Sequence, residues 1–140
     1  MKLTADVRAV LDEPNFAHLA TLLADGSPQS APVWIDVEGD RILIATGEGS
    51  LKARNTKRDP RVSLSVVAVD NPYREAQLRG RVVERRPDAK FEIMDRISRK
   101  YTGKEFPMRA NPEQRVVLVI EIERARYAVL PFTHTPGRRP

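Results

Sequence analysis

The stretch FAHLATLLADGSPQSAPVWIDVEGDRILIAT, residues 16–46, decides the fold. Phe16 to Leu23 is an apolar run, and Ala24-Asp25-Gly26-Ser27 after it is a hairpin signal. Gln29 to Val37 is the return strand, Glu38-Gly39-Asp40 turns again, and Arg41 to Thr46 is a third strand. Connections this short make antiparallel neighbours, so the three strands read as a meander. Pro28 and Pro32 cannot donate to a ladder, which places the second strand at an edge or a bulge.

Working outward, Thr4 caps a short helix whose Val7, Val10 and Leu11 share one face, and Pro14 ends it. Beyond Thr46, Leu51 to Arg58 reads as a second short helix stopped by Asp59-Pro60. Val62 to Val69 is β-branched and reads as a strand. Tyr73 to Arg85 is a long strand in which Gly80 marks a bulge or a close backbone approach. Pro87 and Asp88 open a longer helix with Phe91, Met94, Ile97 and Tyr101 on one stripe, and Gly103 ends it. After a polar loop through Pro107 and Pro112, Val116 to Ile122 and Tyr127 to Leu130 read as two strands, and Thr133 to Pro140 as a loose tail. There is no alternation of strand and helix that would build a parallel sheet. The expected architecture is mainly β with flanking helices: a single domain, residues 1–140, built on a closed or nearly closed antiparallel barrel of about six strands.

Composition narrows the function. The 140 residues contain no cysteine, which removes thiol nucleophiles, disulfides and cysteine-ligated metals. The two histidines, His18 and His134, stand too far apart in sequence to suggest a metal site, and His18 reads as an ordinary strand residue. No apolar run approaches the roughly 20 residues of a membrane span, and the N-terminus is not a signal peptide, so the expected location is cytoplasmic. There is no catalytic triad, spaced carboxylate pair, P-loop or zinc pattern, so no catalytic side chain and no metal is assigned. Of the net charge of +5, most lies between Lys52 and Arg61, where Lys52, Arg54, Lys57, Arg58 and Arg61 face one anion, Asp59. Such a segment suits a local anionic partner or is a solvated helix face. Arg85-Arg86 and Arg138-Arg139 read as solvated charge.

The basic segment follows a strand end at Thr46 and a glycine-containing turn, and Ser50 begins its helix. Unpaired N–H groups at a helix start favour an anion. Ser50 adds a hydroxyl, Lys52 adds a mobile charge in the first turn, and Asn55, three residues on, is expected on the same face. The composite is a candidate phosphate cradle. On residue physics alone Ser50 is equally well a plain N-cap.

Three stretches resemble the pyridoxamine 5'-phosphate oxidase-like split-barrel superfamily in order and spacing. They are Ala20-Thr21-Leu22 through Asp25-Gly26-Ser27-Pro28 to Ala31-Pro32-Val33-Trp34; Ser50-Leu51-Lys52-Ala53-Arg54-Asn55 with Arg58-Asp59-Pro60-Arg61-Val62; and Leu78-Arg79-Gly80-Arg81 with Lys100-Tyr101-Thr102-Gly103. The short chain is most similar to the branch that binds the deazaflavin coenzyme F420. The resemblance implies a six-stranded FMN-binding split barrel and a homodimer with the cofactor site at the subunit interface. It implies phosphate contacts from Ser50, Lys52 and Asn55, with Arg54 beside them, and a ring lying along Pro32, Val33, Trp34 and Thr46. The implied activity is that of an F420-dependent oxidoreductase passing hydride between cofactor and a small organic substrate. The alternatives are an FMN-dependent oxidoreductase or FMN-binding protein, and a non-catalytic module that carries a cofactor or a tetrapyrrole. Nucleic acid is not an expected partner, because aromatics are 6% and no reader motif is present. Tyr101 reads first as part of the packed helix stripe and second as a residue near the substrate.

Overall fold

The computed structural model describes residues 1–137. Helix α1 (Ala5–Asp12) is capped by Thr4, whose hydroxyl accepts from the Val7 N–H at 3.3 Å, and it buries Val7, Val10 and Leu11 against the sheet. Strands β1 (Ala17–Leu22) and β2 (Pro28–Val33) form the expected hairpin, paired from Leu22 with Pro28 to Ala17 with Val33. Gly26 supplies the left-handed residue of the turn, with φ of 85°.

The return strand does not run through to Val37. It breaks at Trp34 and Ile35, and Asp36–Glu38 forms a separate strand, β3, paired with β4 (Arg41–Gly47). After α2 (Leu51–Arg58) come β5 (Arg61–Ala68), β6 (Asn71–Pro87), α3 (Glu92–Thr102), a 3-10 turn (Pro112–Gln114) and β7 (Arg115–Val129). Among the described residues the strands form one seven-stranded antiparallel sheet in the order β2-β1-β5-β6-β7-β4-β3. This corrects the expected number of strands, about six, and the simple meander; of the closed or nearly closed barrel, the closed form does not hold. The hairpin partners of β2 and β4 differ, and β2 and β3 stand at opposite edges of an unclosed ladder. Only Trp34 and Ile35 link those edges. Three Cα steps reach at most about 11 Å, so the sheet must curl until its edges nearly meet. The two strands expected in the last third are one, because the 17 residues of β6 give β7 a partner along its whole length.

At Gly80 the two long strands approach too closely for a side chain. The register of β6 against β7 shifts between Arg79 and Gly80, and a Cβ there would lie 2.0 Å from the Glu121 carbonyl oxygen. The inner core gathers Leu19, Ile42, Ile44, Leu64, Leu78 and Leu118 with the apolar face of α1. Val116 to Ile120 is buried on both faces, and within one chain: Leu43, Val117 and Val119 on the outer side lie under Ile93 of α3. In β5 the pattern alternates, with Val62, Leu64 and Val66 inside and Ser63 and Ser65 exposed.

The described part of the tail is exposed and touches Tyr73, whose ring meets those of Phe132 at 5.4 Å and His134 at 6.3 Å. Arg138, Arg139 and Pro140 lie outside the described residues. No helix among the described residues is long and apolar enough to cross a membrane.

Candidate functional site

A cleft of about 500 Å³ lies where the sheet edges approach each other, between α2 and α3. Pro32, Val33 and Trp34 form one wall, and Ile44, Ala45 and Thr46 of β4 form the floor. Met94 and Ile97 of α3, with Phe106 and Met108 from the following loop, form the facing wall. Phe16 stands at the mouth, half exposed. The lining is apolar except for Thr46, Lys52 and Arg115.

Arg115, which no sequence motif singles out, heads β7 just before the apolar run Val116 to Ile120. It pairs in register with Gly47, which brings it beside the turn that leads to Ser50. Its guanidinium lies 5.6 Å from the Phe91 ring centre and 5.4 Å from that of Phe106, and donates to Met94 Sδ at 3.2 Å. Its Nε is buried without a hydrogen-bond partner. Burial pulls its pKa down, with Asp88 acting in the opposite sense. The Asp88 carboxylate itself is committed to the N–H groups of Ile93 and Met94 at the start of α3. Burial, and behind it the charge of Arg115, likewise holds the Lys52 ammonium below the ordinary lysine range. Among the described residues neither cation has a carboxylate within ion-pair distance. Both cations are part-buried, and partial desolvation favours pairing with an anion.

Of the residues singled out from sequence, the fold brings Pro32, Val33, Trp34, Thr46 and Lys52 to this one cleft. Ser50 stands at its rim as the N-cap of α2, its Oγ accepting from Ala53 N–H at 3.2 Å and from Thr46 Oγ1 at 2.9 Å. Arg54 is exposed and does not line the cleft. Asn55 does not share the cleft-facing side of α2 with Lys52, contrary to expectation. Only 1% exposed, it is turned to β1, donating to Thr21 Oγ1 at 3.0 Å and accepting from Arg58 at 2.9 Å. The reason is that an eight-residue helix packed on a sheet spends its inner face on the sheet. Arg58 also donates to the Leu22 carbonyl, a tie between α2 and β1.

The Lys100-Tyr101-Thr102-Gly103 end of α3 is structural. Lys100 Nζ donates to the carbonyls of Leu11 and Ile35 at 2.6 and 2.8 Å. Tyr101 stands behind Trp34, its hydroxyl donating to the Asn15 carbonyl and accepting from the Ile35 N–H. His18 is exposed on β1 between Pro32 and Ser65 of its neighbours. Among the described residues no three His, Asp or Glu side chains gather as a metal site.

A largely apolar slot lined by two cations without carboxylate partners among the described residues, set at the seam of a curled antiparallel sheet, has the chemistry to take a flat heterocycle that carries an anionic group. The chain belongs to the pyridoxamine 5'-phosphate oxidase family, whose model matches residues 3–128. It is similar to a solved F420 reductase at 30% identity, with 85% of this chain and 94% of that one covered and a TM-score of 0.79. It is also similar to the conserved hypothetical protein Rv2991 from Mycobacterium tuberculosis, at 26% identity over 98% and 94% of the two chains and a TM-score of 0.78. General Stress Protein 26 from Bacillus anthracis, at 16% identity, 88% and 91% coverage and a TM-score of 0.65, shares the fold. No curated protein matches the chain.

Proposed function

We propose that this protein is an oxidoreductase that uses coenzyme F420 to reduce a small, oxidised or unsaturated organic substrate. The observation that carries the reading is the pair Lys52 and Arg115, both lining a largely apolar cleft and, among the described residues, both without a carboxylate within ion-pair distance. The F420 reductase at 30% identity directs the choice of cofactor. When bound, a reduced deazaflavin supplies hydride, and the acceptor's two-electron reduction is completed by one proton. The chain's part is binding and orientation: Lys52, Arg115 and the Ser50 hydroxyl hold the phosphate, while Trp34, Val33 and the β4 backbone from Ile44 to Thr46 flank the ring. Cofactor enzymes need this positioning more than a dedicated catalytic side chain.

FMN is the second reading, and one observation favours it. A phosphomonoester carries close to two negative charges at neutral pH, which matches two uncompensated cations better than a diester does. Titrating the purified protein with each cofactor, read by emission of the single Trp34, tests both. Micromolar F420 binding is the expected result; tight FMN binding without F420 binding replaces the first reading with the second. Binding of neither removes both.

We also propose a two-fold homodimer in the cytoplasm. The cleft is open, and the sheet face beside Pro32 presents Ser30, Ala20 and Ser63 in one cross-strand row and Pro32, His18 and Ser65 in the next. A second copy seated there would reach the cleft mouth.

A further inference from the structure

Glu48 is the only carboxylate between Asp40 and Asp59, the run that holds Ser50 and Lys52. It stands in the turn that joins β4 to α2, four residues before Lys52 and next to Gly47, the register partner of Arg115. An added Cβ at Gly47 would lie 3.9 Å from Arg115 Nη1. Yet among the described residues Glu48 pairs with neither cation, and it does not line the cleft. Its Oε2 accepts instead from Arg85 Nη2 of β6 at 2.9 Å. The sequence leaves Arg85 as solvated charge, but in the fold its side chain is only 23% exposed. The other arm of its guanidinium, Nη1, donates to Thr56 Oγ1 at 3.4 Å, and that hydroxyl donates to the Lys52 carbonyl at 2.7 Å. One planar fork from β6 thus holds both the turn before Lys52 and the helix that carries it.

We propose that Arg85 is a positioning residue: it keeps the Glu48 carboxylate off Lys52 and so leaves that ammonium to an anion in the cleft. That the anion is a cofactor phosphate rests on the oxidoreductase reading. What Arg85 prevents follows from reach. Four residues span at most about 14 Å when extended, and this turn folds back, with the Ser50 N–H donating to the Gly47 carbonyl at 3.0 Å. Gly49 leaves the way open, since an added Cβ there would meet nothing within 4 Å. Released from Arg85, the Glu48 side chain would find in Lys52 a part-buried ammonium without a carboxylate partner, and partial desolvation favours pairing. An internal ion pair at that point would compete with any anion that enters. The part-exposed pair of Arg85 and Glu48 adds little to stability by itself; its effect is on which cation the carboxylate takes.

The test uses the full chain and two readouts. The first needs no ligand. A water-soluble carbodiimide joins a carboxylate to an amine in contact with it, and a Glu48–Lys52 amide removes one water from the peptide that carries both. This product is expected to be scarce in the wild type and prominent in Arg85→Gln; equal yields overturn the proposal. The second is titration with FMN and with F420, read by Trp34 emission. Arg85→Gln is expected to weaken binding by about tenfold, Glu48→Gln to change it by less than about threefold, and the double variant to return within about threefold of the wild type. A loosened fold would not be rescued by Glu48→Gln. A mere change of net charge would make Glu48→Gln tighten binding by as much as Arg85→Gln weakens it. Either pattern overturns the proposal, as does unchanged binding in Arg85→Gln. If Arg85→Gln fails to fold, Arg85→Met, which keeps the packing of the stem, takes its place in both readouts with the same expectations. A wild type that binds neither cofactor strikes the oxidoreductase reading, while the cross-link still decides what Arg85 does.

Discussion

Trp34 and Tyr101 stack with ring centres 5.2 Å apart and planes 7° from parallel. The pair lies at the seam of the sheet: Trp34 is one of the two residues between its edges, and Tyr101 takes the N–H of the other, Ile35, at 3.2 Å. A residue from α3 thus braces a wall of the cleft from behind.

Tyr101→Phe keeps the stacked ring and removes the hydroxyl that joins Ile35 to Asn15. It is expected to destabilise the protein by about 1–3 kcal/mol, the cost of leaving part-buried backbone groups unpaired. Urea unfolding measures this, and Trp34 emission in the native baseline reports whether the wall has shifted.

Lys52 and Lys57 carry the same charge in one short helix, but Lys52 lines the cleft and Lys57 is exposed near the C-terminal end of α2. A charge-assisted phosphate contact contributes roughly 1.5–3 kcal/mol. Lys52→Ala is therefore expected to weaken cofactor binding about 10- to 150-fold, and Arg115→Gln by a similar factor, with Lys57→Ala nearly silent. Equal effects of Lys52→Ala and Lys57→Ala, both vanishing in high salt, would mark a diffuse basic surface.

The pKa of Lys52 lies below its ordinary 10.5 because of burial and then Arg115. In the free protein the unfolded chain therefore binds more protons than the folded one between the depressed value and 10.5, so this group's contribution to stability rises with pH through that window. Anion binding has the opposite sign, since it needs the charged ammonium. Cofactor affinity is expected to fall as pH rises through the depressed value, and Lys52→Arg is expected to shift that fall to higher pH. Titration calorimetry across alkaline pH, in buffers of different ionisation enthalpy, reads both the affinity and the proton uptake.

Gly80→Ala would put a methyl group 2.0 Å from the Glu121 carbonyl oxygen, in a backbone that cannot move without disturbing the longest strand pair. The expected cost is about 3 kcal/mol or more, seen as a large drop in the urea midpoint or as loss of soluble protein.

Sedimentation at micromolar concentration tests the dimer. A species of twice 15.8 kDa is expected, and Ser63→Arg on the exposed face of β5 is expected to shift it toward monomer. A wild type that sediments only at 15.8 kDa contradicts the proposal.

Elements with a strong local signal were legible in the chain. Thr4 and Ser50 at helix starts, Gly26 in its turn, Gly103 at a helix end and Gly80 at a close approach all act as their chemistry dictates. The break at Trp34 and Ile35 was not legible, because it answers to the curl of the whole sheet and to Tyr101, 67 residues away from Trp34 in the chain. Half of the candidate site was legible for the same reason. Trp34 and Lys52 stand in local patterns, whereas Arg115 differs from other strand-leading arginines only in what lies across from it.

By itself the sequence determined the mainly β architecture, the capped starts of α1 and α2 and a basic first turn after a glycine-containing loop, because capping, turn geometry and side-chain periodicity act over a few residues; the start it gave α3, at Pro87 and Asp88, is corrected by the structure, where β6 runs to Pro87 and α3 begins at Glu92. Only the tertiary structure decided which charges count. Asn55 is spent on β1 and Arg54 is left in solvent. Arg115, carried by β7 to the partner position of Gly47, joins Lys52 at one cleft, where among the described residues neither has a carboxylate within ion-pair distance.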